Sequence, residues 1–224
     1  MKFLLTSAGI RNPSIHAALI ELLGKPIAEA RALCVPTGLY PFASGPAMAY
    51  RFIHGTGSNP LCGLGWKSLG VLELTALPSV AEAWVTGVRE ADALLVSGGD
   101  VWYLRRWMQE SGLAALMPSL RAVYVGISAG SMVTAPVFGE TYGDPHKPFV
   151  IGQGLGLVDF ALLPHVDHED HPESAMTKAE AMAEEVPVPT YAIDDQTAIK
   201  VSHGHVQVVS EGNWKLLPGA TPSR

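Results

Sequence analysis

Short apolar runs alternate with segments of helical spacing along the first part of this chain. The runs at residues 2–6 and 30–35 predict strands, and residues 13–23 between them have apolar positions at helical spacing. The same alternation continues with a helix at 80–89, a strand at 93–96, a helix at 101–108 and a strand at 122–125. Strands that alternate with helices in this way predict an α/β fold, with a mainly parallel sheet and helices on both faces.

Two regions depart from this alternation. Residues 40–66 are rich in Gly, Pro and Ser and have no clear period, so they predict a long loop or short irregular helices. After Tyr191 the apolar runs become short, at 191–193, 198–201 and 206–209. This pattern, with His203-Gly204 between the last two runs, predicts a C-terminal β hairpin or meander. There is no repeat and no linker, so residues 1–224 are predicted to form one domain.

The composition argues against several classes of partner. Of the 224 residues, 48% are hydrophobic and 16% are charged, and the net charge is −6. Nucleic acid or an anionic membrane would require a basic face, which this chain lacks. Two cysteines, Cys34 and Cys62, predict a reduced, cytoplasmic protein. Residues 1–7 are too short for a signal peptide and no stretch is long enough to span a bilayer. Whether the chain forms a homo-oligomer is left open.

The strongest chemical signal is Gly-Ile-Ser-Ala-Gly at residues 126–130, directly after the predicted strand at 122–125. Gly-x-Ser-x-Gly after a buried strand predicts a sharp strand-to-helix turn that exposes the serine hydroxyl, which is a nucleophile elbow. Its glycines permit backbone angles and close contacts that a Cβ would block. Ser128 is therefore the candidate nucleophile, and the alternative is an ordinary glycine-rich turn.

A second glycine turn, at residues 97–100, follows the predicted strand at 93–96. The carboxyl ends of parallel strands meet at one edge of a sheet, so this turn is expected to face the elbow. The backbone N–H groups of Gly99 and Ala129 are then predicted to form an oxyanion hole. The alternative is a tight turn in which Asp100 caps the next helix, and both interpretations can hold together.

A serine nucleophile needs a base, and residues 164–171 contain His165, His168 and His171. His165 directly follows an apolar run that predicts a strand end, which makes it the best-placed base. The alternative is a metal site in which Asp167 and Asp170 join the three histidines, since imidazole and carboxylate suit zinc or manganese. The same spacing in an acidic loop is also typical of a solvated surface.

The third member of such a triad is an acid that orients the base. Asp194 and Asp195 follow the run at 191–193, and Asp195 is the favoured candidate, with a turn cap as the alternative role for either carboxylate. The resulting chain order is Ser, His, acid. In α/β-hydrolases the acid precedes the histidine, so the order argues against that fold.

Taken together, these motifs resemble the aspartyl dipeptidase (peptidase E) family of serine peptidases, relatives of the class I glutamine amidotransferases, in a group that includes the cyanophycinases. The resemblance covers most of the chain and rests on five segments: residues 3–7, Gly98-Gly99, residues 126–130, Pro164-His165 and residues 193–198. It implies a flavodoxin-like α/β fold of the class I glutamine amidotransferase type. The implied roles are Ser128 as nucleophile, His165 as base, Asp195 as acid, and Gly99 with Ala129 as oxyanion donors.

Two departures from the dipeptidase branch bear on the substrate. That branch usually has Asn after the two glycines, whereas Asp100 here is more like the cyanophycinase branch, and a negative group disfavours an acidic substrate side chain. That branch also carries an Arg in a Thr-Arg-Glu context after the catalytic histidine. The nearest match here is Lys178 in residues 177–180, and lysine cannot reproduce a bidentate contact. The alternative for Lys178 is a solvated helix face.

The predicted function is that of a serine exopeptidase that hydrolyses short peptides through an acyl-enzyme, as a single catalytic domain without a cofactor. Arg51, Arg105 and Arg106 are each candidates to bind a terminal carboxylate. The candidate substrate contacts are Asp100, Arg51, His54, Lys178 and His168. Alternatives within the family are a carboxypeptidase or a cyanophycinase-like peptidase. In another class, the alternative is a non-catalytic module that binds a small molecule or peptide, which would be expected to have lost Ser128, His165 or the glycine pair.

Overall fold

A computed structural model describes residues 1–57, 61–80, 82–140 and 150–220 of the chain. Its strands are β1 (Lys2–Thr6), β2 (Arg31–Val35), β3 (Ser68–Val71), β4 (Ala93–Val96), β5 (Val123–Ile127), β6 (Val137–Glu140), β7 (Val150–Gln153), β8 (Ala161–Leu163), β9 (Thr190–Ile193), β10 (Thr197–Ser202), β11 (His205–Ser210) and β12 (Trp214–Leu217). Its helices are α1 (Pro13–Leu23), α2 (Gly45–Ile53), α3 (Ala83–Glu90), α4 (Val101–Glu110), α5 (Leu113–Leu116), α6 (Ala129–Met132) and α7 (Met176–Glu185).

The main layer is a seven-stranded sheet in the order β11-β10-β1-β5-β4-β2-β3. The strands from β1 to β3 in this order pair in parallel. At the other edge, β10 pairs antiparallel with β1, and β11 pairs antiparallel with β10. The predicted α/β fold with a mainly parallel sheet is therefore confirmed. The predicted C-terminal hairpin is present as β10 and β11, joined at His203-Gly204.

Side chains that alternate along the central strands fill two cores, one on each face of this sheet. Phe3 and Leu5 of β1 lie in one cluster with the buried residues of α4, whereas Leu4 lies in the other cluster with those of α1. Successive side chains of a strand point to opposite faces, so a strand covered on both sides is apolar at every position. This burial on both faces explains why the central strands are continuous apolar runs rather than alternating ones.

Two smaller sheets lie outside the main one. Strand β9 pairs in parallel with β8 and antiparallel with β12, and β6 pairs with β7. A third cluster packs α7 against β8 and β9 through Ala179, Met182 and Ala192. This small layer carries the segment that follows β8 and the segment that follows β9, which are the two places where the sequence puts the candidate base and acid.

The carboxyl ends of β1, β5, β4 and β2 lie side by side at one edge of the main sheet, as their parallel register requires. The chain leaves this edge at Ser7, Ser128, Ser97 and Pro36, respectively. Residues from four separate parts of the sequence therefore meet there. In the described ranges, no helix has the length and apolar character needed to cross a membrane.

Several elements differ from the sequence-based predictions. Residues 40–66 contain a regular helix, α2, which begins at a proline-containing first turn where Gly45 packs against the carbonyl oxygen of Leu39; residues 58–60 lie outside the described ranges. Helix α3 begins at residue 83 rather than 80, because a 3₁₀ turn at Leu77–Ser79 ends at an extended Val80; residue 81 is likewise outside them. Strands β3, β6, β7 and β12 were not predicted, and β3, β7 and β12 are largely exposed, so they lack the buried apolar run that marks the central strands.

Candidate active site

Ser128 lies in the turn between β5 and α6 at φ 48° and ψ −116°, a backbone conformation that side-chain-bearing residues rarely adopt. Its N–H donates to two carbonyl oxygens at the end of β1, those of Thr6 at 3.1 Å and Ser7 at 3.0 Å. A Cβ on Gly126 would lie 2.6 Å from the carbonyl oxygen of Gly130. The sharp strand-to-helix turn that the motif predicts is therefore present. Within the buried run 126–132, Ser128 is partly exposed.

Three glycine turns interlock around this serine. A Cβ on Gly98 would lie 3.2 Å from the Cβ of Ser128, and one on Gly99, at φ 117°, would lie 2.1 Å from the carbonyl oxygen of Gly38. A Cβ on Gly38 would in turn lie 2.7 Å from the carbonyl oxygen of Gly98. The N–H of Asp100 donates to the carbonyl oxygen of Gly38 at 2.8 Å. Backbone contacts that only glycine permits thus hold the turns after β2, β4 and β5 together.

The two candidate oxyanion donors lie on these turns. Ala129 is the first residue of α6, so its N–H has no acceptor within the helix. Among the described residues, neither the Gly99 N–H nor the Ala129 N–H donates to a protein acceptor. Both donors are therefore available to a ligand beside Ser128, which is what an oxyanion hole requires.

Asp100 is the N-cap of α4. Its carboxylate accepts a hydrogen bond from the N–H of Tyr103 at 2.8 Å, and its backbone is extended. The capping interpretation of this residue is therefore confirmed. The cap also fixes a carboxylate one residue after the glycine pair, where it contributes negative charge next to the turn.

His165 and Asp195 meet above the end of β1. Their Nδ1 and Oδ1 atoms are 2.7 Å apart, and the two side chains are 13% and 19% exposed. His165 follows β8 and has a φ of 58°, and Nδ1 of its ring lies 3.2 Å from Oγ of Ser7, which follows β1 of the main sheet. The segments after β8 and β9 thus bring together two residues separated by 30 positions in the sequence.

The surroundings of Asp195 favour its ionised form. Partial burial by itself would raise the pKa of this carboxyl group, but hydrogen bonds from His165 and Ser7, with His165 and His168 nearby, outweigh it and lower the pKa to about 2. Asp195 is therefore a carboxylate at neutral pH. A carboxylate accepts hydrogen bonds and donates none, so Nδ1 of His165 is the protonated nitrogen in this pair.

Asp194 has a different role from its neighbour. Its carboxylate accepts hydrogen bonds from the Gln196 N–H at 3.0 Å, from Oγ1 of Thr197 at 2.7 Å and from the Asn213 N–H. These contacts cap the turn between β9 and β10. Of the two adjacent carboxylates, it is therefore Asp195 that lies against the imidazole, while Asp194 stabilises the turn that presents it.

Ser7 is a polar residue of the site that the sequence-based prediction did not include. It is fully buried at the end of β1, and its Oγ lies 2.6 Å from Oδ1 of Asp195 and 3.2 Å from Nδ1 of His165. The backbone N–H of His165 donates to the same oxygen at 2.8 Å. The carbonyl oxygen of Ser7 also accepts a hydrogen bond from the N–H of Ser128. This one residue therefore contacts all three members of the predicted triad.

The candidate nucleophile and base are not hydrogen-bonded to each other. No bond between the Ser128 hydroxyl and the His165 ring occurs in the part of the chain that the structure describes. Catalytic hydrogen bonds are often long in an enzyme without substrate and shorten when substrate binds. Ser7 links the two residues, because its Oγ accepts the His165 N–H and its carbonyl oxygen accepts the Ser128 N–H.

His168 and His171 surround the pair without forming a metal cluster. The His171 ring stacks on His165 with centroids 4.4 Å apart and planes 19° apart, and Nε2 of His168 lies 3.7 Å from Oδ2 of Asp195. Asp167 instead binds the N–H of Met176 at 2.9 Å, at the start of α7. Within the described residues, no group of three or more His, Cys, Asp or Glu side chains is placed to hold a metal ion. The geometry does not favour the metal-site alternative.

The other candidate substrate contacts lie on helices. Arg51 and His54 lie at the C-terminal end of α2, where both are exposed and the His54 ring packs 4.2 Å from that of Tyr50. Lys178 lies partly exposed on α7. In the described ranges, none of these three side chains forms a hydrogen bond or ion pair with the predicted triad.

Two further arginines were predicted as carboxylate ligands. Arg106 forms an exposed ion pair with Glu110 at 2.8 Å on the surface of α4, which disfavours it for that role. Arg105, on the same helix, has a buried Nε that finds no hydrogen-bond partner among the residues that the structure describes. An unsatisfied guanidinium nitrogen is costly, so Arg105 is the better candidate of the two for a polar ligand.

Gly38 and Ser7 are the residues of this site that sequence reasoning missed. Each lies within three residues of the end of a predicted strand, Gly38 after β2 and Ser7 after β1. The rule that ligand sites lie at the carboxyl ends of parallel strands applies to these two ends as well. That position was the available signal, although nothing in the local sequence identifies the partners.

Comparisons with known proteins found one matching family model and several similar structures. A model of the family described as Peptidase family S51 matches residues 3–209. A structure of a protein provisionally assigned as peptidase E from Listeria monocytogenes EGD-e is 19% identical, with a TM-score of 0.62 over 94% of this chain and 98% of that one. A peptidase from an acI-B1 Actinobacterium is 20% identical, with a TM-score of 0.64 over 100% of this chain and 92% of that one. At these identities the two structures establish similarity of fold. No curated protein sequence matches this chain significantly.

Proposed function

This chain belongs to peptidase family S51 and is a serine peptidase, and we propose that it is an exopeptidase that cleaves short peptides with Ser128, His165 and Asp195. The observation that carries the proposal is the 2.7 Å contact between His165 and Asp195, which Ser7 links to a strained, partly exposed serine. A base oriented by an acid and close to an exposed hydroxyl is the arrangement that activates a weak nucleophile. The exopeptidase type and the short-peptide substrate come from the resemblance to peptidase E.

In the proposed reaction, Nε2 of His165 takes the hydroxyl proton of Ser128 as Oγ attacks the scissile carbonyl carbon. Asp195 stabilises the imidazolium that forms, because its carboxylate lies against Nδ1. The imidazolium then gives its proton to the leaving amine, and the peptide C–N bond breaks to leave an acyl-enzyme. Water, deprotonated by the same imidazole, attacks the ester and releases the acid product, which restores the serine hydroxyl.

The negative charge that develops on the carbonyl oxygen is held by the N–H groups of Gly99 and Ala129. Two observations support this assignment: the donors are unused by the protein in the described residues, and Gly98 abuts the side chain of Ser128. Because the interlocked glycine turns fix both donors in advance, little reorganisation is needed when the charge appears. No step requires a cofactor.

The side-chain preference is proposed to differ from that of an aspartyl dipeptidase. Asp100 keeps a carboxylate next to the oxyanion turn, and no cation pairs with it among the described residues. Lys178 replaces the arginine expected for bidentate binding of a substrate aspartate, and a lysine binds a carboxylate as a point charge. The enzyme is therefore expected to show no strong preference for an acidic residue on the acyl side of the cleaved bond.

The decisive experiment compares the purified protein with its Ser128→Ala variant on Asp-Leu, Ala-Leu and acetyl-Ala-Ala-Leu. We expect cleavage of Ala-Leu at least as fast as that of Asp-Leu, and loss of all cleavage in the variant by a factor on the order of a million. A variant that keeps more than a few per cent of the activity would refute the serine mechanism. Cleavage of the blocked tripeptide would instead favour the carboxypeptidase alternative, and absence of hydrolysis with retained peptide binding would favour a non-catalytic module.

Lys178→Ala tests the specificity proposal separately. We expect kcat/KM for Asp-Leu to change by less than about tenfold, or about 1.4 kcal/mol, because a partly exposed lysine supplies no bidentate contact. The ratio between Asp-Leu and Ala-Leu is the quantity to measure. A strict requirement for amino-terminal aspartate that disappears in Lys178→Ala would restore the aspartyl dipeptidase assignment.

A further inference from the structure

We propose that Ser7 is a positioning residue that selects the tautomer of His165 in which Nε2 is free to accept a proton. The inference rests on the proposed function, because it concerns the base of that reaction. Ser7 is fully buried, and its side chain contacts the base and the acid rather than the nucleophile. Its effect on catalysis therefore passes through His165 and Asp195.

The hydrogen bonds of the Ser7 hydroxyl determine where its proton lies. A hydroxyl has one proton to donate and two lone pairs to accept with. The Ser7 hydroxyl donates its proton to Oδ1 of Asp195, at 2.6 Å, because an ionised carboxylate can only accept hydrogen bonds. The backbone N–H of His165, at 2.8 Å, can only donate and uses one lone pair. The second lone pair of Oγ is left facing Nδ1 of His165 at 3.2 Å.

This arrangement stabilises one tautomer of the neutral imidazole and destabilises the other. With a proton on Nδ1, the ring donates to Oδ1 of Asp195 at 2.7 Å and to the lone pair of Ser7 beside it. Without that proton, the lone pair of Nδ1 would face Oδ1 of Asp195 and the remaining lone pair of Oγ of Ser7 in a partly buried place, with no proton between Nδ1 and either oxygen, which costs free energy. Protonation at Nδ1 leaves Nε2 unprotonated, and this is the form that acts as a general base.

Ser7 also forms hydrogen bonds with the backbone N–H groups of the base and of the nucleophile. His165 has a φ of 58°, a conformation that a residue with a Cβ keeps only when its surroundings stabilise it. The bond from its N–H to Oγ of Ser7 provides such stabilisation. The carbonyl oxygen of Ser7 accepts the N–H of Ser128. One buried residue thus connects the ring orientation of the base to the turn that carries the nucleophile.

The test combines kinetics with the tautomer state of His165 in Ser7→Ala. We expect kcat to fall by about 10- to 100-fold, the range for a hydrogen bond to a charged group, while KM stays within about twofold because Ser7 is buried away from the substrate. Nitrogen-15 NMR of the histidine rings, with His165 assigned from the spectrum of His165→Ala, should show Nδ1–H as the main form in the wild type and a reduced fraction of it in Ser7→Ala.

The spectra are recorded at about pH 8.5, where ordinary imidazoles are neutral. The signals of His168 and His171 are assigned as well, because His171 stacks on His165 and His168 faces Asp195. Ser111→Ala is the matched control, since Ser111 is a buried serine that bonds the backbone near the end of α4. It should cost similar stability without changing the His165 signal.

Ser7→Cys keeps the branching of the side chain, with a larger sulfur atom in place of oxygen, but donates a weaker hydrogen bond, so its kcat and tautomer fraction should lie between those of the wild type and Ser7→Ala. This variant decides the question if Ser7→Ala does not fold. A loss of activity with an unchanged tautomer fraction would overturn the inference and leave a purely structural role for Ser7. The NMR result does not depend on any substrate, so it still decides the inference if the peptides prove not to be substrates.

Discussion

The proposed nucleophile and the proposed base of this site are held by different kinds of contact. Ser128 is held in place by the protein backbone. The glycine turns after β2, β4 and β5 lie so close to one another that an added Cβ atom would be crowded by a neighbouring turn. His165 and Asp195 come from the small layer of β8 and β9, and side-chain hydrogen bonds fix them. The first half of the site therefore tolerates changes of side chain but not of glycine, whereas the second half depends on single polar atoms and on their protonation.

This contrast has a functional meaning. An oxyanion hole must not move when charge develops, and a backbone scaffold supplies such rigidity. A general base must instead change its protonation state in every cycle, so it has to be held by groups that respond to charge. The difference between the two halves predicts that substitutions on the two sides will have different signatures in activity and stability.

The largest expected effect is on the base side. His165→Ala should lower kcat/KM by a factor on the order of a million, comparable to Ser128→Ala, because the members of a triad act as a unit. His168→Ala and His171→Ala should be mild, since neither ring forms the 2.7 Å contact with Asp195. Steady-state kinetics of the three variants on one dipeptide checks this. Equal losses at all three positions, rescued by added zinc, would instead support a metal site.

On the backbone side, Gly98→Ala adds one methyl group 3.2 Å from the Cβ of Ser128. We expect kcat/KM to fall by about 100-fold, because small misplacements of a nucleophile are costly, while the melting temperature changes little. Gly87→Ala, on helix α3, is the control, since a Cβ added there would have no neighbouring atom within 4 Å among the described residues. If Gly98→Ala kept full activity, the close contact between the two turns would not govern the serine.

The smallest effect concerns stability and pH. Because the pKa of Asp195 is lowered from 3.8 to about 2, its ionised form contributes on the order of 2 kcal/mol to the free energy of unfolding above about pH 4. This contribution is lost as the pH falls from about 4 through about 2. Denaturant unfolding of the wild type and Asp195→Asn should therefore differ at pH 7 and converge near pH 2. A difference that stays constant over this range would contradict the hydrogen-bonded carboxylate.

The halves of the site also differ in how far the sequence predicts them. The elbow and the Gly98-Gly99 turn are local motifs, and their strands are apolar runs buried on both faces, so both were predicted with their place in the fold. His165 and Asp195 were predicted because each follows an apolar run. Ser7 was not, since its contacts lie 158 and 188 positions away and a serine after a strand carries no local sign of them.

Among the secondary-structure elements, predictability followed burial. Strand β4 is buried at each of its four positions, and helix α1 has a buried stripe between the Asn12 cap and Gly24, and both were predicted with the bounds that the structure has. Helix α2 was predicted as irregular because it buries few positions and leaves Tyr50 61% exposed. Its position is set by the contact of Gly45 with Leu39, which is a tertiary effect that periodicity does not record.

The central position of β1 has a consequence for how this enzyme folds during its synthesis. Strand β1 lies between β5 and β10, so Phe3 pairs with Tyr124 on one side and with Val201 on the other. Pairings between such distant parts of a chain form late, after the loop-closure entropy has been overcome. On the ribosome, β1 has no second neighbour until the residues of β10 have been synthesised. Asp195 lies just before β10, so a nascent chain that ends before β10 is expected to lack the contacts that hold the proposed triad.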